Sequence, residues 1–134
     1  MRRVLTVLPF ALLLAACAGP GAPEADGVCW RAHQSASGAM TFTPLARDVG
    51  NLETCSVLLE GLRLQGAPQA DGAYQGYFIF VDDRAISSGR SLGGLHYPIF
   101  QPPQRVEVDR DLRRLMKERG GKLPDAGEIS LERQ

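Results

Sequence analysis

Apolar positions along the chain fall into a few short patterns, separated by Gly, Pro and polar residues. Val28, Trp30 and Ala32 alternate with Cys29 and Arg31, which predicts a strand over 28–32. Met40-Thr41-Phe42-Thr43 alternates again and predicts a second strand, ended by Pro44. The period changes over 51–65. Leu52, Cys55, Leu59 and Leu62 recur at helical spacing, and Leu58 widens the stripe. Asn51 suits the N-cap, Glu53 the positive end of the helix dipole, and Gly66 the stop. Gly61 lies inside this helix at a cost of up to about 1 kcal/mol against Ala, which points to close packing there.

The stretch "AYQGYFIFV" carries the strongest strand signal. Read as one strand, it puts Tyr74, Gly76, Phe78 and Phe80 on one face and Gln75, Tyr77, Ile79 and Val81 on the other. Both faces are largely apolar, so the strand is expected to be central or covered on both sides. Asp82-Asp83 reads as a turn, residues 84–88 as a return strand and 89–94 as a loop. Residues 96–100 are apolar until Gln101-Pro102-Pro103-Gln104 breaks the run. Arg105-Val106-Glu107-Val108 then alternates like a half-exposed edge strand. Asp109 reads as the N-cap of a charged helix over about 109–119. Its narrow apolar stripe is Leu112, Leu115 and Met116, and Gly120-Gly121 ends it. Residues 122–134 read as a mobile tail. The pattern predicts an α+β fold over 27–121: a small, mostly antiparallel sheet with one packed helix (51–65) and a C-terminal charged helix (109–119).

The N-terminus obeys a different logic. Arg2 and Arg3 precede a short apolar run from Val4 to Ala16 that contains Pro9. A membrane-spanning helix needs about 20 apolar residues. A basic start, a brief apolar region and small residues at its end are the layout of a secretory signal, here residues 1–16. Leu14-Ala15-Ala16-Cys17 resembles the lipobox of bacterial lipoproteins: a branched apolar residue, two small residues and a cysteine. The resemblance covers the signal and cleavage site only. It implies a diacylglycerol on the Cys17 thiol, cleavage before Cys17 and acylation of the new amino terminus. No cofactor is expected, since the chain shows neither metal-binding spacing nor a phosphate-loop pattern. Ala18 stands where Asp favours the inner membrane of two-membrane bacteria, so the resemblance implies the periplasmic face of the outer membrane. Residues 17–26, rich in Pro and Gly, read as a lipidated flexible tether.

This reading changes the cysteine count. With Cys17 acylated, Cys29 and Cys55 remain, and an oxidising compartment favours a disulfide between them. Beyond the tether lie about 100 residues, enough for one small domain. The formal net charge is zero, and loss of Arg2 and Arg3 with the signal leaves the chain two charges negative. Neither this balance nor the compartment favours nucleic acid as a partner.

Candidate chemistry is sparse. His33 and His96 are the two histidines, and neither sits in a metal-binding spacing. His96, in an apolar segment, reads best as a structural histidine. Asp82 and Asp83 read best as turn-capping residues. "SSGRSLGG" lacks the phosphate-loop pattern and reads as a surface loop. Trp30, Tyr74, Tyr77, Phe78 and Phe80 read as core, with a ligand groove as the alternative. The 109–119 helix reads as solvated, with docking to an envelope protein as its alternative role. The expectation is therefore a non-enzymatic accessory or interaction lipoprotein, held to the membrane by lipid. Two alternatives are a small envelope hydrolase using His96 with Asp82 or Asp83, and a lipoprotein that binds a small molecule or metal.

Overall fold

In the computed structural model, which describes residues 21–129, six strands form one antiparallel sheet. They are β1 (Cys29–Gln34), β2 (Met40–Ala46), β3 (Gly72–Tyr74), β4 (Tyr77–Val81), β5 (Ile86–Gly89) and β6 (Tyr97–Pro98). Their order across the sheet is β2-β1-β3-β4-β5-β6. Two helices complete the α+β fold: α1 (Leu52–Leu64) and α2 (Pro102–Glu118). None of the described helices is long and apolar enough to cross a membrane.

α1 begins and ends where its local chemistry dictates. The Asn51 side chain accepts the Thr54 N–H at 2.8 Å, and Gly66 comes after the last turn with φ at +92°. Every residue from Thr54 to Leu62 is buried. A helix buried on all sides needs partners on both flanks. Cys55, Leu58, Leu59 and Leu62 face the sheet, packing with Cys29, Tyr74, Ile79, Val81 and Ile86. At 100° per residue, Val57, Glu60, Gly61 and Leu64 lie on the opposite side of the helix. There Val57 packs with Leu112 and Met116 of α2. A Cβ on Gly61 would meet Leu123 at 2.5 Å, so the helix accepts its glycine penalty for a close approach. The molecule is thus layered: sheet, then α1, then α2 with the C-terminal segment.

The Cys29–Cys55 disulfide joins β1 to α1, with the Cα atoms 5.3 Å apart. It fixes the central helix to the middle of the sheet.

The structure departs from the sequence pattern at five places. First, "AYQGYFIFV" is a hairpin and not a single strand. Gln75 and Gly76 both have positive φ, +43° and +82°, and turn the chain between β3 and β4. Two successive positive φ values match the twist of a two-residue hairpin. Tyr74 and Tyr77 consequently pair on the same face. Second, β2 continues through Pro44 to Ala46, because β2 is an edge strand whose outer side needs no N–H. Third, residues 105–108 are helical. Pro102 and Pro103 open α2 at its first turn, where their missing N–H groups cost nothing, and the Gln104 side chain accepts the Gln101 N–H at 2.8 Å. The charged helix therefore spans 102–118 rather than 109–119, and Asp109 lies inside it. Val106, a strand position by its alternation, is exposed on the helix, whereas Val108 packs on α1. Fourth, the described part of the 122–134 stretch is tied down. Leu123, Ala126 and Ile129 pack against the core, and Arg119 pairs with Glu128 at 2.8 Å. Fifth, packing starts before residue 27: Ala22 is buried, and Pro23 O accepts the Gly76 N–H at 2.8 Å.

One buried charge joins the layers. Glu60 is fully buried on α1. Arg63 donates to both its oxygens, Nε to Oε2 at 2.9 Å and Nη2 to Oε1 at 2.6 Å. Arg105 of α2 reaches the same oxygens at 3.2 Å and also donates to Asp82 O in the β4–β5 turn. Asp109 lies 3.8 Å from Arg63. Burial opposes charge on Glu60, but the Arg63 hydrogen bonds, a hydrogen bond from Asp109 and Arg105 together hold its pKa below the ordinary value. Asp109 is pushed up to about 6 by burial and by sharing a hydrogen bond with Glu60. Its Oδ1 is buried without a donor among the described residues. Neutral Asp109 can donate to Glu60, whereas ionised Asp109 can only accept.

Two outcomes are expected. Replacing Cys29 and Cys55 together by Ala removes a cross-link with a sequence separation of 26, at a cost of roughly 3–4 kcal/mol in the chain-entropy model; denaturant melts of both forms measure it. Unchanged stability would show that the bond contributes nothing. The raised Asp109 pKa means that the fold holds a proton there which the unfolded chain releases near pH 4. The stabilisation from that proton is complete below about pH 4 and lost as pH rises through about 6. Asp109→Asn, which donates at every pH, should be more stable than the parent at pH 7–8 and should lose this dependence. A variant less stable at pH 8, with the slope intact, would refute the assignment.

Candidate interaction face

The sheet has one face covered by α1 and one face on which none of the described helices lies. Backbone pairing defines the second. Trp30 pairs with Ala73 and Pro44, Ala32 with Phe42, Ala73 with Phe78, and Phe80 with Ser87. Side chains alternate along each strand, so these positions share one face. No Asp, Glu, Lys or Arg occupies this face in any of the six strands.

Aromatic rings run across it. Phe42 and Phe78 have centroids 6.2 Å apart, Phe78 and Phe80 6.3 Å, and Phe80 and His96 3.9 Å with the last two rings stacked. Trp30 is half-buried beside Ala22, Ala73 and Phe78, and its Nε1 has no acceptor among the described residues. Gly89 makes the His96 stack feasible. A Cβ there would meet His96 Cδ2 at 2.7 Å and the Leu95 carbonyl at 2.8 Å. The loop after β5 can therefore fold close over the sheet only where that side chain is missing. It leaves Leu92 and Leu95 exposed, Leu95 at 77%.

The residues singled out from sequence are dispersed. Cys17, the lipobox and the signal lie outside the described residues. His96 is exposed on the helix-free face, and its Nε2 lies 3.3 Å from Ser91 O. Its ring stacks on Phe80 at the surface. Asp82 sits in the β4–β5 turn and accepts the N–H groups of Arg84 and Ala85 at 2.7 and 2.8 Å. Those two bonds hold its pKa below the ordinary value. Asp83 is exposed beside it. Neither histidine has a carboxylate within 4 Å among the described residues, and His33 Nε2 lies 2.8 Å from Thr43 Oγ1. No three His, Cys, Asp or Glu side chains converge there as a metal site. Tyr74 and Tyr77 lie on the α1 face, where the Tyr74 hydroxyl donates to Val49 O at 2.6 Å. The groove expected from Trp30 and the Tyr74–Phe80 stretch is thus divided between two faces.

A separate open cleft of about 320 Å³ lies between β2 and the C-terminal segment, walled by Leu45, Arg47, Leu58, Leu123, Pro124 and Ala126. His33, His96, Asp82 and Asp83 do not line it. α2 turns Arg105, Val108, Asp109, Leu112 and Met116 inward. Its outer side carries mixed charge, with Arg114 near both Asp111 and Glu118 at 3.9 and 3.5 Å. Such exposed pairs contribute little to stability.

The helix-free face escapes the sequence pattern as a unit because its central hairpin reads as one strand. Its signal is the Gln75-Gly76 turn. Gly89→Ala should displace His96 from Phe80: the His96 ring protons, shielded by the stacked ring, should move downfield in NMR spectra while the core resonances stay in place. Unmoved His96 resonances would disprove the close contact. No family model matches this chain, nor does any curated protein or solved structure.

Proposed function

We propose that this chain is a bacterial envelope lipoprotein, held by acyl chains on Cys17 at the periplasmic face of the outer membrane. It acts there as a non-enzymatic accessory or interaction module. The observation that carries this reading is Leu14-Ala15-Ala16-Cys17, set directly behind a basic start and a short apolar run. One acyl chain binds a membrane marginally, whereas two or three on one residue anchor it firmly. The fold supports the compartment: the two remaining cysteines are bonded, as an oxidising environment favours. The dispersal of His96, His33, Asp82 and Asp83 supports binding over hydrolysis. The charged outer side of α2 is the surface offered to an envelope protein partner.

Cell fractionation tests the anchor. Cys17→Ser should move the protein from the membrane to the soluble fraction, and the mature amino terminus should carry diacylglycerol by mass spectrometry. A Cys17→Ser protein that stays in the membrane would end this reading. Ala18→Asp should shift the anchored protein toward the inner-membrane fraction on a density gradient; an unshifted band would remove the sorting argument while leaving the anchor intact.

A further inference from the structure

Three observations bear on how the domain sits once anchored. The first is where the described chain begins. Ala22 packs against Ala73 and Phe78 on the helix-free face, and Pro23 O is held by the Gly76 N–H. Only three residues, Ala18 to Pro20, lie between Cys17 and Gly21, which are four Cα–Cα steps apart. Fully extended, those steps span about 14 Å. The opposite side of the molecule lies beyond two helical layers, each roughly 10–12 Å across. A tether of that length starts on the aromatic face and cannot round the sheet edge and clear both helices.

The second is charge. The six strands place no charged residue on this face, while α2 on the far side is dense in Arg, Asp and Glu. The third is composition. Trp30, Phe42 and Phe80 are only partly buried there, and the 90–96 loop adds exposed Leu92 and Leu95. Trp concentrates at the boundary between hydrocarbon and water, where a flat apolar ring meets a polar layer. A soluble partner would have to reach a face that the anchor draws against the lipid.

We infer that the helix-free face of the sheet, with Trp30, Phe42, Phe80 and the Leu92–Leu95 loop, rests on the surface of the bilayer that holds the Cys17 acyl chains. α2 then faces away from the membrane. This orientation rests on the lipoprotein reading and adds to it a specific contact surface.

Trp30 is the one tryptophan of the chain, so its emission reports this face alone. The lipidated protein is placed in phosphatidylethanolamine–phosphatidylglycerol vesicles whose acyl chains carry bromine near the glycerol end. Trp30 should lose most of its emission relative to unbrominated vesicles. Aqueous acrylamide should quench it less than in soluble Cys17→Ser protein. Leu95→Asp alters an exposed residue, so it should leave the fold and anchor in place and yet lose part of the bromine quenching. Lipidated protein whose Trp30 ignores bromine overturns the inference and leaves the anchor standing. Acrylamide protection that grows with protein density, without a bromine response, assigns the face to a second copy and overturns it equally. Absence of diacylglycerol on Cys17 by mass spectrometry refutes the lipoprotein reading and this orientation with it, an outcome that mass alone distinguishes from failure of the face.

Discussion

Glu60 is the constraint on which the layering depends. A carboxylate buried on a central helix costs several kcal/mol unless it is paired and hydrogen-bonded. Arg63 satisfies it from within α1, and Arg105 satisfies it from α2. Arg105 also holds the Asp82 carbonyl, so one guanidinium ties the second helix to the first and to the sheet's β4–β5 turn. Ion pairs of this kind add little net stability over an apolar replacement, but they allow few alternative dockings. α2 can slide neither along α1 nor around it without taking Arg105 off Glu60.

That fixed docking explains the asymmetry of the molecule. With α1 buried between sheet and α2, every apolar side chain that α1 offers is already used. Among the described residues, only the short stretch around Ala22 and the loop that carries His96 lie over the other face of the sheet. The sheet fills that face with its own rings, Phe42, Phe78 and Phe80, and stacks His96 on the last of them. The disulfide holds α1 against β1. One face is then saturated by helices, and the other is left uncharged and aromatic on the side where the chain enters.

Legibility differs by element. The α1 boundaries are plain because capping, stripe and stop all agree at Asn51, Leu52 to Leu62 and Gly66. The Cys29–Cys55 pair emerges from counting once Cys17 is assigned to lipid. The β3–β4 hairpin is hidden because Gln75 is an unusual residue for a positive φ, and the flanking Tyr74 and Tyr77 preserve the look of one strand. α2 is hidden by its start. Two prolines read as a break, although they sit where a helix tolerates them, and the four residues after Gln104 alternate like a strand. Arg105 and Asp109 carry no local sign of burial, since their partner Glu60 lies 45 residues upstream of Arg105.

By itself, the sequence determined the local elements whose signals come from neighbouring residues: α1 with its caps and the alternation of β1 and β4. Tertiary structure decided what depends on residues far apart. It chose helix over strand for 105–108 by giving Val108 and Leu112 a buried surface on α1. It joined Glu60, Arg63, Arg105 and Asp109 into one cluster, and it stacked His96 on Phe80 rather than pairing it with a carboxylate among the described residues. It also sorted the aromatic residues between a covered and an open face. Periodicity records which side of an element is apolar, but only pairing and docking fix what that side meets.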